Sequence, residues 1–156
     1  MSGILVVGGG FAGVWSAAAA ARLRDRMGAS CDELPITLVD PQPNLVIRPR
    51  LYEVSPEQMV VAHERILRPI GVEVVHATAT NVRTETRTVP LDGWPEGLRY
   101  DRLVLAVGSR LRRPELPGAE HLHDADTVGA AVGSSTDISR RSRSTRRGSA
   151  ATPRWW

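Results

Sequence analysis

The chain has 156 residues, room for one domain of ordinary size, and its 42% hydrophobic and 24% charged residues sit close to a soluble globular average. With 14 Gly and 11 Pro it is neither fibrous nor wholly disordered, and its single cysteine, Cys31, excludes an intrachain disulfide framework, a Cys-rich zinc site and a CxxC redox pair. The net charge of +3 is carried by Arg alone and is unevenly spread: residues 1–133 hold 14 Arg against 16 acidic residues, residues 134–156 hold 6 Arg against one Asp, so the basic character is no argument for a nucleic-acid-binding globular domain.

Ile4 to Ala21 runs for 18 residues without a charge, the threshold for a membrane span. Gly8, Gly9 and Gly10 interrupt it, Ala and Gly drive insertion weakly, and no positive segment precedes it. The stretch therefore predicts a buried strand over Ile4–Val7, a glycine turn, and an Ala-rich helix from Phe11 to about Met27, stopped by Gly28. Neither a transmembrane segment nor a secretory signal is expected. A polar connection leads to a second strand, Ile36–Val39, ending at Asp40. Pro41, Pro43 and Pro49 keep the chain irregular up to Tyr52. A short helix is expected over Glu57–Leu67, before Pro69, and a third strand over Val72–Val75. Alternating β-branched and polar residues from Thr78 to Val89 suggest exposed antiparallel strands. Asp92-Gly93 and Pro95-Glu96-Gly97 are turn signals. Leu103–Val107 predicts a further buried strand, ended by Gly108, and Pro114–Gly118 a loop. Residues 134–156 contain 6 Ser, 6 Arg and 3 Thr and almost no aliphatic side chains. That tail is expected to be disordered.

Gly8-Gly9-Gly10-Phe11-Ala12-Gly13 fits G-x-G-x-x-G, and it stands where a strand should meet a helix. Gly8 permits the tight turn, Gly10 lets backbone approach a pyrophosphate, and Gly13 lets the helix pack close to the sheet. The N–H groups opening the helix, at Phe11 and Ala12, then face the phosphates. Asp40 ends the second strand, where a carboxylate accepts hydrogen bonds from ribose hydroxyls and repels a 2′-phosphate, favouring FAD or NAD over NADP. It lies 27 residues after Gly13, farther than the usual twenty or so, which leaves a solvated loop acid as the alternative. Tyr100 to Ser109 reads as a buried strand followed by a small-residue turn, where backbone could touch the same ligand.

The glycine fingerprint, the TLVD strand at Thr37–Asp40, RPRLYEV from Arg48, and YDRLVLAVGS from Tyr100 followed by PELPG occur in one order. Together they resemble the N-terminal FAD-binding segment of flavin-dependent pyridine nucleotide-disulfide oxidoreductase-like proteins, most similar in the type II NADH dehydrogenase (NADH:quinone oxidoreductase) branch. The resemblance spans roughly Gly3 to Thr127. It implies an α/β, Rossmann-like FAD/NAD(P)-binding fold with a parallel sheet and a small antiparallel β insertion, incomplete at the C-terminus. Its implied cofactor is FAD, with NAD(P)H as co-substrate in a full-length relative and an acceptor such as a quinone. The resemblance assigns Gly8, Gly10 and Gly13 to the pyrophosphate, Asp40 to the adenosine ribose, and Ala106, Gly108 and Ser109 to a second approach to FAD. It sets Arg48, with Pro49, Leu51 and Tyr52, in a loop near the flavin; a solvated arginine is the alternative for Arg48. No residue need act as a catalytic acid or base, because the isoalloxazine carries the redox chemistry.

No second glycine fingerprint and no redox Cys pair are found. The family-like text fades around Asp124 to Ala131. The expected organisation is therefore a partial FAD-binding domain over 1–118, a linker over 119–133 and an Arg/Ser-rich tail over 134–156. A truncated or frame-shifted product of impaired activity is expected, the alternative being a non-catalytic dinucleotide-binding fragment or pseudoenzyme. The expected location is cytoplasmic, with peripheral membrane association only through a missing C-terminal region. The expected partner is a small-molecule dinucleotide and not a nucleic acid, although the tail's arginines could touch one by charge. His121, His123, Asp124 and Asp126 read as a solvated linker and not a metal site. His63 and His76 read as isolated packed or surface imidazoles. Cys31, beside Asp32 and Glu33, does not read as a reactive thiol.

Overall fold

Consecutive aliphatic residues need cover on both faces of a strand, and the first such run, β1 (Gly3–Val7), lies in the middle of a sheet. The computed structural model describes residues 3–52, 55–109, 112, 115–119, 122, 126–133 and 136. After β1 come α1 (Phe11–Arg26), β2 (Ile36–Val39), β3 (Asn44–Val46), β4 (Val60–Ala62), α2 (His63–Leu67), β5 (Glu73–Val75), β6 (Thr88–Leu91) and β7 (Trp94–Leu105). The main sheet has five strands in the order β5-β2-β1-β7-β6. β1 pairs in parallel with β2 and β7, β2 pairs in parallel with β5, and β6 pairs antiparallel with β7. β3 and β4 form a separate antiparallel pair, Leu45 opposite Val61.

The period of two explains the apolar runs. Val6, Ile36 and Leu38 face one side of the sheet and pack with Val14, Ala17 and Ala21 of α1 and Leu67 of α2. Leu5, Val7 and Val39 face the other and pack with Val89, Leu91 and Tyr100. In α1, buried Val14, Ala17, Ala21 and Arg24 recur every three or four residues, so small side chains bring the helix close to the sheet. The architecture is a mixed sheet with flanking helices, consistent with the Rossmann-like dinucleotide-binding fold expected from the sequence.

Two compact units are distinguished: Met1–Val46 with Val60–Ser109, and Ile47–Met59 with Arg110–Trp156. The first holds all the strands and both α-helices named above. The second holds 3-10 turns at Arg48–Arg50 and Pro56–Gln58, the buried side chains of Leu51 and Ala131, and a helical run over 128–133. Thr127 Oγ1 caps that run by accepting the Ala130 N–H at 3.2 Å.

Several expectations are corrected. The proline-rich stretch is not wholly irregular, because Asn44–Val46 finds a partner in Val60–Ala62. That pairing also takes Val60 and Val61 out of the helix expected over Glu57–Leu67, which starts only at His63. Within Thr78–Val89 the antiparallel pairing is an isolated bridge of Arg83 with Thr88, and the longer antiparallel pair is β6 with β7, joined at Asp92-Gly93. Pro95 to Gly97 lies inside β7, where the pairing register shifts. β7 ends at Leu105, which is 60% exposed, so the last part of the expected buried strand is neither buried nor strand. The tail lies outside the described residues apart from Thr136, as do His121, His123 and Asp124.

Candidate functional site

The carboxyl ends of β1, β2 and β7 are neighbours, with Val7 registered against Val39 and Leu105. Chain order reverses at β1: the next strand lies on one side and β7 on the other. Ligands of open α/β sheets bind in the crevice outside such a switch point. Three of the predicted segments converge there.

The glycine turn follows β1. Gly8 has φ +108°, donates its N–H to the Val39 carbonyl at 2.8 Å, and carries no Cβ where one would run into the Ala106 carbonyl. A Cβ on Gly13 would strike the carbonyl of Gly8, and one on Gly9 would strike the His63 ring. Gly10 is different. Its backbone is ordinary, with φ −72° and ψ −174°, and a Cβ there would meet nothing within 4 Å. The protein's own packing requires the other three glycines and does not require this one.

Gly10 is the N-cap of α1. No side chain caps the helix and no acid lies in its first turn. The first N–H groups of a helix have no carbonyl one turn earlier to bond. Val14 N–H, one turn in, donates to the Gly10 carbonyl at 3.0 Å, and those ahead of it have no acceptor among the described residues. Phe11 and Ala12 are exposed. The result is an open cluster of donors at the positive end of a helix, a cradle suited to an anion.

Asp40 follows β2 and stands beside the turn. Its Oδ2 accepts the Gly9 N–H and its Oδ1 accepts the Gln42 N–H at 2.7 Å. Each oxygen offers two acceptor sites, so one on each is left for a further donor. Ala106 follows β7 and donates its N–H to the Val7 carbonyl at 2.8 Å. Its Cβ would lie 3.5 Å from a Cβ on Gly13. Gly108 and Ser109, both exposed, continue from it. Arg48 belongs to the other unit, where its guanidinium lies 3.3 Å from Asp126.

The sequence missed His63. It opens α2, is 0% exposed, and holds the Gly9 carbonyl from Nε2 at 2.7 Å. Its Nδ1 has no partner. No local pattern could have shown this, since the two residues are 54 apart in the chain. Gly9, too, had no assigned part, yet Asp40 grips its N–H and His63 its carbonyl. Among the described residues no three His, Cys, Asp or Glu side chains could hold a metal ion, and no helix is long and apolar enough to cross a membrane.

These residues fit a dinucleotide: the donors suit a diphosphate, the space at Gly10 lets it approach, and the adjoining carboxylate can accept from a sugar hydroxyl. The family described as pyridine nucleotide-disulphide oxidoreductase matches residues 2–144. The chain is 37% identical over 133 residues to NADH dehydrogenase-like protein MT1860 of Mycobacterium tuberculosis, covering 85% of this chain and 33% of that protein. It is 32% identical over 123 residues to demethylphylloquinone reductase NdbB of Synechocystis, covering 74% and 30%. The chain thus spans about one third of the length of the curated relatives it matches. Among solved structures, the sulfide:quinone oxidoreductase of Aquifex aeolicus superposes with a TM-score of 0.71 at 24% identity, over 90% of this chain and 32% of that one, a likeness of fold alone.

Proposed function

The chain belongs to the pyridine nucleotide-disulphide oxidoreductase family, and on that premise we propose that it is the FAD-binding part of an NAD(P)H dehydrogenase-type oxidoreductase, serving hydride transfer from NAD(P)H to FAD and onward to an acceptor such as a quinone. The names of two relatives, an NADH dehydrogenase-like protein and a demethylphylloquinone reductase, support the reductant and the acceptor class. Bound FAD supplies the redox chemistry. The chain's own residues bind and orient. The N–H groups of Gly10, Phe11 and Ala12 receive the diphosphate, with Gly8 and Gly13 keeping the turn tight against the helix. Asp40 accepts from the adenosine ribose with the acceptor sites that Gly9 and Gln42 leave open, and its charge disfavours a 2′-phosphate. Ala106, Gly108 and Ser109 bring backbone to the same ligand from β7.

The observation that carries the reading is the uncapped, acid-free start of α1 beneath a glycine that nothing in the protein requires. The purified chain is expected to be yellow, or to become so with added FAD, and to release FAD and not FMN on denaturation. A colourless chain that fails to bind added FAD overturns the reading. Mixed with NADH and a soluble quinone, the chain alone is expected to turn over weakly; fast flavin reduction would correct that expectation.

A further inference from the structure

His63 is fully buried, yet only one of its two ring nitrogens has a partner. A buried polar atom left unpaired is costly, so an aliphatic residue would suit a purely packing role better. The bond that His63 does make falls on one atom of the candidate site, the carbonyl oxygen of Gly9. A carbonyl only accepts, so Nε2 carries the hydrogen and donates.

The peptide group is planar and trans, so the carbonyl of Gly9 and the N–H of Gly10 point in opposite directions. Gly9 is buried and Gly10 exposed. Holding the Gly9 carbonyl on a buried imidazole therefore turns the Gly10 N–H outward. A flip of that peptide plane would present a carbonyl oxygen, the negative end of the dipole, to an arriving anion. Asp40 fixes the preceding peptide plane in the same manner, through the Gly9 N–H. Asp40 and His63 thus clamp Gly9 at both of its polar atoms.

We infer that His63 is a positioning residue of the dinucleotide site, its Nε2–H holding the Gly9–Gly10 peptide with the N–H toward the diphosphate. The inference rests on the FAD-binding reading and deepens it. The ring acts through backbone and does not touch the ligand.

The test measures FAD affinity, by quenching of flavin fluorescence, for the wild-type chain, His63→Leu and His63→Gln. Leucine removes the donor, and FAD binding is expected to weaken about tenfold, the worth of one hydrogen bond of about 1.4 kcal/mol. Glutamine extends an amide donor to about the place of Nε2 and is expected to bind within about threefold of wild type. A residue that merely fills space would show no such rescue. Equal affinity of the leucine variant and wild type overturns the inference, as does a glutamine variant as weak as leucine. Should the leucine variant fail to fold, the glutamine variant and nitrogen NMR of the wild-type chain decide. A protonated Nε2 is expected, and a ring whose hydrogen sits on Nδ1 alone overturns the inference. A wild-type chain that binds no FAD sinks the underlying reading as well, whereas the other adverse results leave that reading standing.

Discussion

The two ends of α1 are finished in opposite ways. At the C-terminal end the Met27 N–H donates to the Leu23 carbonyl at 3.0 Å, Gly28 to Asp25 at 3.1 Å, and Ala29 to Arg24 at 3.1 Å. Gly28, at φ +70°, supplies the left-handed residue that such a cap needs. Arg24 and Arg26 set positive charge against the negative pole of the helix. Buried Arg24 also donates to the carbonyls of Ile70 and Gly71, at 2.8 and 3.0 Å, tying the helix to the 3-10 turn Arg68–Ile70. At the N-terminal end there is no cap, no acid and no partner for the leading donors among the described residues. One end is closed by the fold's own groups, and the other leaves its leading donors without an acceptor among the described residues.

Substitutions at the two ends should therefore separate stability from binding. The largest effect is expected at Gly13→Val, where the new side chain meets the Gly8 carbonyl. Overpacking of this kind costs about 1–3 kcal/mol or more, and both the thermal midpoint and flavin retention should fall. Gly10→Asp should divide the two properties. A carboxylate at an open N-cap position suits the helix, so the midpoint should hold or rise slightly. The same carboxylate occupies the anion's donors, and FAD affinity should drop on the order of a hundredfold, about 2.7 kcal/mol. A variant that binds FAD as wild type does would show that the open end is not the phosphate site. Arg24→Leu attacks the other end. It strands two carbonyls, and denaturant unfolding should show a loss of about 1–3 kcal/mol with FAD affinity unchanged in the folded protein. The smallest effect lies just beyond the helix, at Glu33. Its carboxylate accepts the Ser30 N–H at 2.8 Å, and that bond together with the Ser30 hydroxyl holds its pKa below the ordinary 4.5. A lowered carboxyl stabilises the fold above its unfolded value and loses that contribution as pH falls through the folded one. The midpoint of Glu33→Gln should therefore lie slightly below wild type at neutral pH, with the gap closing below pH 4.5.

What the sequence revealed, and what it hid, follows the range of the forces involved. β1, α1 and β2 were legible because each is settled by its own residues: aliphatic runs covered on both faces, a glycine turn, and an Ala-rich helix ended by Gly28. The glycine turn and Asp40 were legible for the same reason, and the structure sets them side by side. The β3–β4 pair was not. Three residues between prolines carry no period, and their partners stand in a segment that looks helical by itself. β6 was hidden by Pro90, since proline argues against a strand interior. His63 was hidden most completely. Its part depends on a carbonyl 54 residues away, and nothing in its neighbours distinguishes it from an ordinary packed imidazole.

Pro90 has a consequence of its own. β6 ends the five-stranded sheet, and a sheet margin with a continuous row of donors is a template on which other chains can polymerise. Proline leaves a gap in that row, while Thr80 already donates to the Pro90 carbonyl at 3.0 Å and Asp92 to that of Thr78 at 2.9 Å. The opposite margin, β5, is three residues long, too short to seed much pairing. A mostly parallel sheet forms slowly and exposes its flanks while it does so. Both flanks are thus blunted against fibril-like growth during the interval when the chain is most vulnerable to it.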